Sequence, residues 1–309
     1  MLTIEALPGG FGADVVNADL AQRLTDDQVG QLADAIYRHR FLRIRGQDHL
    51  SRADYARLGA QMGDPIRFPH PDHRHDDFPE LIRIGNAAST PAPLRDGAAF
   101  WHTDGTYDII PVSITMLHAL EAPDDGGETL FADLVAAYDA LPGATRERLD
   151  GLRVLHRMSG GKRFGYEKQV TQDSFAYAAT MDDARGQQIT AHPLVLTHPV
   201  TGRRALYGIA GTSFGIEGMA AADGEALLTE LKTHATQDRF RTQVKAGTGD
   251  ILLWDCLSSI HSAVPIGYSD EPGHRRILLR LSVTGLPLPY RHLPAPFATR
   301  DAVPADMGL

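Results

Sequence analysis

Trp101-His102-Thr103-Asp104 sets an imidazole and a carboxylate two residues apart in a stretch, 100–107, that reads as β-strand. Side chains alternate faces along a strand, so His102 and Asp104 point the same way while Thr103 points away. Two such donors can converge on one metal ion. Two histidines and one carboxylate, with coordination positions left open, form the geometry of non-haem Fe(II) oxygenases. A second histidine must then come from elsewhere in the chain. The candidate is His261, a few residues beyond Gly249-Asp250-Ile251-Leu252-Leu253-Trp254-Asp255, an apolar strand that would deliver it at a strand edge.

Two arginines follow on a strand predicted over 276–283. The spacing of four places Arg276 and Arg280 on one face with Leu278 between them, and Arg275 on the other. A guanidinium suits bidentate capture of a carboxylate. A metal centre beside an inward arginine is what a dicarboxylate co-substrate needs: one end chelates the metal and the other pairs with the arginine.

The rest of the chain is that of an ordinary soluble protein. Its 309 residues carry a net charge of −9, which argues against a nucleic-acid or anionic-membrane partner. Cys256 is the only cysteine, which excludes an internal disulfide or a cysteine-rich zinc site and suits a reducing compartment. The start, Met1-Leu2-Thr3-Ile4-Glu5, lacks the pattern of a signal peptide, and no run approaches 18 apolar residues. The expectation is cytoplasmic, with oligomeric state left open. Thr25 and Ser51 read as caps of helices reaching about 38 and 62, with Gly63 as a stop. Short strands are predicted over 41–44, 81–84, 113–120, 128–131, 205–209, 240–245 and 250–254, and further helices over 134–140, 143–149 and 222–233. Residues 159–191 are polar, weakly periodic and long for a connection, which marks them as a lid or binding segment. Many short strands with helices outside them point to a β-sandwich or jelly roll in a single domain, 1–309.

In this order, the motifs resemble the taurine / 2,4-dichlorophenoxyacetate dioxygenase family of Fe(II)/2-oxoglutarate-dependent oxygenases, from about residue 10 to 285. The pieces are Gly12-Ala13-Asp14-Val15, Trp101-His102-Thr103-Asp104, Gly126-Gly127-Glu128-Thr129-Leu130-Phe131, His198-Pro199-Val200-Thr201-Gly202-Arg203, Gly249-Asp250 to Trp254-Asp255, His261, and Arg275-Arg276-Ile277. The resemblance implies a double-stranded β-helix (jelly roll, cupin-like), mainly β with flanking helices. It makes His102, Asp104 and His261 the iron ligands, and Arg276 with Thr129 the clamp on the distal carboxylate of 2-oxoglutarate. Arg280 matches the family's second arginine, placed near both substrate and co-substrate, and His70 matches a substrate-binding histidine. Ala98 stands where taurine dioxygenase has a substrate-binding asparagine, which disfavours taurine itself. The implied reaction uses Fe(II), 2-oxoglutarate and O₂ to oxidise an unactivated C–H of a small, anionic molecule, releasing succinate and CO₂. Halogenating relatives have a small residue at the position of Asp104, so a carboxylate here favours hydroxylation, desaturation or cyclisation.

Plainer readings stand beside these. His118, His156, His192, His198 and His234 read as surface or hydrogen-bonded residues, and Trp254 and Asp255 as a buttress for the turn leading to His261. Gly211-Thr212-Ser213-Phe214-Gly215 matches a hydrolase nucleophile elbow, with Asp255 and His261 in a suitable order. An elbow needs a helix directly after the serine, and Gly215 and Gly218 argue against one before about 222. A non-catalytic metal-binding sensor on the same fold is the third reading. It would be favoured by a missing ligand or arginine, and none is missing.

Overall fold

The computed structural model describes residues 1–68, 74–91, 94–95, 98–158, 188–295 and 297. Local chemistry explains the first helices. In α1 (Asp26–His39) the Thr25 hydroxyl accepts from the Gln28 N–H, and the Gln28 side chain accepts from the Thr25 N–H. This reciprocal cap satisfies two N–H groups that helix geometry leaves unpaired. Asp26 and Asp27 at its start and Arg38 and His39 at its end suit the helix dipole. Ser51 caps α2 (Arg52–Met62) in the same way, through the Asp54 N–H.

The main sheet runs in the order β1 (Ile4–Ala6), β2 (Ala13–Val15), β3 (Phe41–Ile44), β14 (Ile251–Asp255), β6 (Ile114–Glu121), β16 (Ile277–Thr284) and β4 (Asp64–Pro65), with β5 (Ile82–Gly85) also paired to β16. All its pairings are antiparallel except β2 with β3. Alternation along the strands separates two faces. Ile251 and Leu253, Ile114 and Met116, and Leu279, Leu281 and Val283 join the core that includes Val29, Leu32 and Ile36 of α1 and Tyr55 and Leu58 of α2. Leu252 and Trp254, Leu117 and Ala119, and Leu278 turn to the opposite side.

That inner face meets a second sheet, β13 (Arg241–Val244), β7 (Thr129–Asp133) and β15 (Ser259–Ala263). Phe131 of β7 stacks on Phe41 at 4.4 Å between centroids and takes Trp254 edge-on at 5.5 Å. Each such aromatic pair contributes ~0.5–1.5 kcal/mol beyond the area it buries. On the outer side of this sheet, Ala132 and Ile260 pack with residues of α3 (Leu134–Asp139), α4 (Gly143–Leu149) and α5 (Ala221–Ala235). Two smaller sheets complete that side: β10 (Val195–Thr197) with β11 (Arg204–Leu206), and β12 (Ser213–Ile216) with β8 (Arg153–His156) and β9 (Thr190–Pro193). The architecture is mainly β with flanking helices, a jelly roll, as expected. Most of the expected lid, 159–191, lies outside the described residues, and its last two residues belong to β9. Among the described residues no helix is long and apolar enough to cross a membrane.

Candidate active site

The expected strand over 100–107 is absent. Only His102 pairs, as a single bridge to His261: its N–H donates to the His261 carbonyl at 2.9 Å, and the His261 N–H returns a bond at 3.1 Å. Residues 104–107 then turn, because Gly105 has φ +66°, a left-handed backbone incompatible with an extended strand. His102 and Asp104 still converge, through one bridge followed by a turn. His261 lies in the middle of β15, a strand that the sequence pattern does not predict.

His102, Asp104 and His261 each offer a donor atom, and these lie within 4.8 Å of one another. Asp104 Oδ1 is 3.6 Å from His102 Nε2, and its Oδ2 is 3.6 Å from His261 Nε2. The second ring nitrogen of His102 meets the Phe100 carbonyl at 2.8 Å. A carbonyl only accepts, so Nδ1 carries the proton and Nε2 presents its lone pair to the cluster. Burial above all, aided by His102 and Arg280 and opposed by Asp104, holds His261 well below its usual pKa. It is therefore neutral, the form that ligates metal. Trp254 packs on the His261 ring at 4.6 Å. Asp255 accepts from the Leu257 N–H and the Ser258 hydroxyl, fixing the turn into β15. Both buttress roles expected of Trp254 and Asp255 are present.

Burial pushes the Asp104 carboxyl up, but Arg280, His261, His102 and the Thr115 hydroxyl together outweigh it and hold the group well below the usual carboxylate range. A carboxylate beside two imidazole nitrogens fits a divalent cation and the two-histidine, one-carboxylate set.

The two arginines differ. Arg276 lies just before β16 and lines a narrow pocket with Thr129, Gly127, Leu117, Leu252 and Leu278. Its Nε donates to the Gly127 carbonyl at 3.2 Å, and among the described residues it makes no ion pair. Burial lowers its pKa to about 10, against the opposing pull of Glu128, so it remains a cation at neutral pH. Arg280 instead donates from Nη2 to Asp104 Oδ1 at 2.7 Å. It also lines an open pocket with Ile66, Phe68, Tyr107, Val112 and Ser282. Arg275 turns away, as predicted, and pairs with Glu121 at 2.6 Å.

His70 lies outside the described residues. His118, His156, His192 and His198 are buried and hydrogen-bonded rather than superficial. His234 bonds to the Ala137 carbonyl. The hydrolase reading does not assemble. Ser213 opens a buried strand, the next helix begins only at Ala221, and Asp255 and His261 are engaged as described. Gly211 has another use: a Cβ there would stand 2.8 Å from the Cβ of His102. Sequence reasoning missed Thr115, whose hydroxyl donates to Asp104 Oδ2 at 2.7 Å. Its only signal was a hydroxyl at an inward position of a strand predicted to be apolar.

Comparison with known proteins agrees with this geometry. The family described as "Taurine catabolism dioxygenase TauD, TfdA family" matches residues 3–282. An alpha-ketoglutarate-dependent 2,4-dichlorophenoxyacetate dioxygenase of Cupriavidus pinatubonensis is 29% identical over 263 residues, covering 81% of this chain and 88% of the relative. An alpha-ketoglutarate-dependent sulfate ester dioxygenase of Pseudomonas putida is 26% identical over 292 residues, covering 92% and 90%. The crystal structure of a taurine dioxygenase from Burkholderia xenovorans superposes with a TM-score of 0.72 at 28% identity, covering 92% of this chain and 89% of that one.

Proposed function

The chain belongs to the TauD/TfdA family and is an Fe(II)- and 2-oxoglutarate-dependent dioxygenase, and from that premise we propose that it oxidises a C–H bond of a small organic anion with an apolar body. Iron, 2-oxoglutarate and O₂ supply the oxidising power: one oxygen atom leaves in succinate as CO₂ departs, and the other enters the substrate. His102, Asp104 and His261 hold the metal. Arg276, a half-buried guanidinium that makes no ion pair among the described residues, binds the distal carboxylate of 2-oxoglutarate beside Thr129. A desolvated cation of this kind, with Glu128 as a neighbouring charge but no direct partner, favours an incoming anion.

The observation that carries the substrate reading is Arg280 on the wall of the open pocket. Its Nη2 is engaged by Asp104, and a guanidinium has five N–H donors, which leaves others to orient an anionic group. Ile66, Phe68, Ile82, Ile110 and Val112 give the same pocket an apolar wall suited to an alkyl or aryl body, beside the charged Arg67, Glu80 and Asp108. Relatives named for sulfate esters and 2,4-dichlorophenoxyacetate support this chemistry. The substrate role of His70 rests on its motif alone.

The test is succinate release from Fe(II)-loaded enzyme, with and without O₂, across alkyl sulfonates, alkyl sulfates and aryloxyacetates, with neutral alcohols of matched length. The expected result is oxygen-dependent release stimulated by one anionic class and product oxidised on carbon. Stimulation by the neutral compounds alone would overturn the substrate class. Metal binding with no turnover of any kind would favour a sensor.

A further inference from the structure

Asp104 is gripped by two side chains, and one of them does not itself line the substrate pocket. Arg280 holds Oδ1, while the Thr115 hydroxyl donates to Oδ2, both at 2.7 Å. Thr115 is fully buried in β6. A hydroxyl has one proton, and here it goes to the carboxylate, so every other bond to Thr115 Oγ1 is one it accepts. Ser282 Oγ lies 3.0 Å away and Cys256 Sγ lies 3.7 Å away, which makes Ser282 and the thiol donors to Thr115. The register builds this arrangement: Thr115 is directly opposite Ser282 on β16 and Trp254 on β14. Cross-strand hydroxyl pairs of this kind stabilise sheets. Here the pair also orients a proton toward a carboxylate.

We propose that Thr115 is a positioning residue for the metal, locking the rotation of the Asp104 carboxylate, with Ser282 fixing the Thr115 hydroxyl. Donors converging on Thr115 polarise its O–H and strengthen the bond it gives. Arg280 faces the pocket and is open to competition from an anionic substrate. Thr115 is fully buried and does not line the pocket, although its partner Ser282 does. The inference rests on the reading of Asp104 as a metal ligand, so its test must separate the two.

Trp254 packs on His261 and Trp101 adjoins His102, so intrinsic fluorescence can report metal binding. Metal-free wild type, Thr115→Val, Thr115→Ser, Ser282→Ala and Asp104→Ala are each titrated with Mn(II), and their melting temperatures are measured without metal. Thr115→Val should bind Mn(II) about tenfold more weakly, as is common when a partner behind a metal ligand is lost. Thr115→Ser keeps the hydroxyl and should stay close to wild type, while Ser282→Ala should weaken binding a few-fold. If Thr115→Val does not fold, Thr115→Ala replaces it in the comparison with Thr115→Ser. Unchanged affinity in Thr115→Val beside a lowered melting temperature would make Thr115 mere packing and overturn the proposal. Equal losses in the Val and Ser variants would overturn it too. Wild-type affinity in Asp104→Ala would instead defeat the ligand assignment, and the proposal with it.

Discussion

Arg276 and Arg280 stand four residues apart, one just before β16 and the other within it, and meet different surroundings. Arg276 is half-buried in a narrow pocket walled by Leu117, Leu252 and Leu278, with a backbone carbonyl as its hydrogen-bond partner. Arg280 opens onto a larger pocket and is tied to a candidate metal ligand. The difference assigns them different work. A partly desolvated cation with no ion pair among the described residues is a preformed anion site, whereas a paired one orients its partner and shares its remaining donors.

Arg276→Gln separates them most sharply. Loss of one member of a buried charge pair costs about 2–5 kcal/mol, so the 2-oxoglutarate concentration for half-saturation should rise on the order of a hundredfold. Binding of Mn(II) alone, followed by tryptophan fluorescence, should change little. Arg280→Gln should do the opposite: metal affinity falls about tenfold as Asp104 loses a tether, and half-saturation by 2-oxoglutarate moves far less. If the two variants exchange these phenotypes, the roles are exchanged.

Gly211→Ala perturbs the centre without touching either arginine. Gly211 has φ +83° and leaves no room for a Cβ beside His102. Forcing an L-residue into that backbone costs about 1–2 kcal/mol. A lowered melting temperature, weaker metal binding and an unshifted ratio between the two arginine effects are expected.

The smallest effect is on pH. Arg276, at about 10, stays charged through neutrality, so the anion clamp itself does not titrate there. His156 behaves differently: burial, reinforced by His192, holds it well below 6.5 in the folded protein. The unfolded chain therefore takes up a proton that the native state refuses. This contribution to stability is complete above about pH 6.5 and is lost as the pH falls below it. The melting temperature should drop between pH 7 and 5, and His156→Asn should make that slope shallower. An unchanged slope would show that another group carries the acid sensitivity.

Much of this was readable from the chain. The apolar runs around Ile251 to Trp254 and Leu278 to Val283 predict two central strands, and the Thr25 and Ser51 caps predict two helices. Asp104 and His102 were found by a spacing that holds even though the strand does not, since Gly105 turns the backbone after one bridge. β15 escaped because Ser259-Ile260-His261-Ser262-Ala263 has little apolar alternation; its pairing with β7 and His102 creates the strand. The Arg280–Asp104 and Thr115–Asp104 bonds depend on which strands become neighbours, a property of the sheet order that no local pattern encodes.

The most direct test of the central claim is anaerobic addition of 2-oxoglutarate to the Fe(II)-loaded protein, watched in the visible range. Chelation of 2-oxoglutarate by iron held on His102, Asp104 and His261 predicts a charge-transfer band in wild type, missing in Asp104→Ala and needing far more 2-oxoglutarate in Arg276→Gln. A folded wild type that gives no band, or an Asp104→Ala variant that gives the same band, would contradict the account.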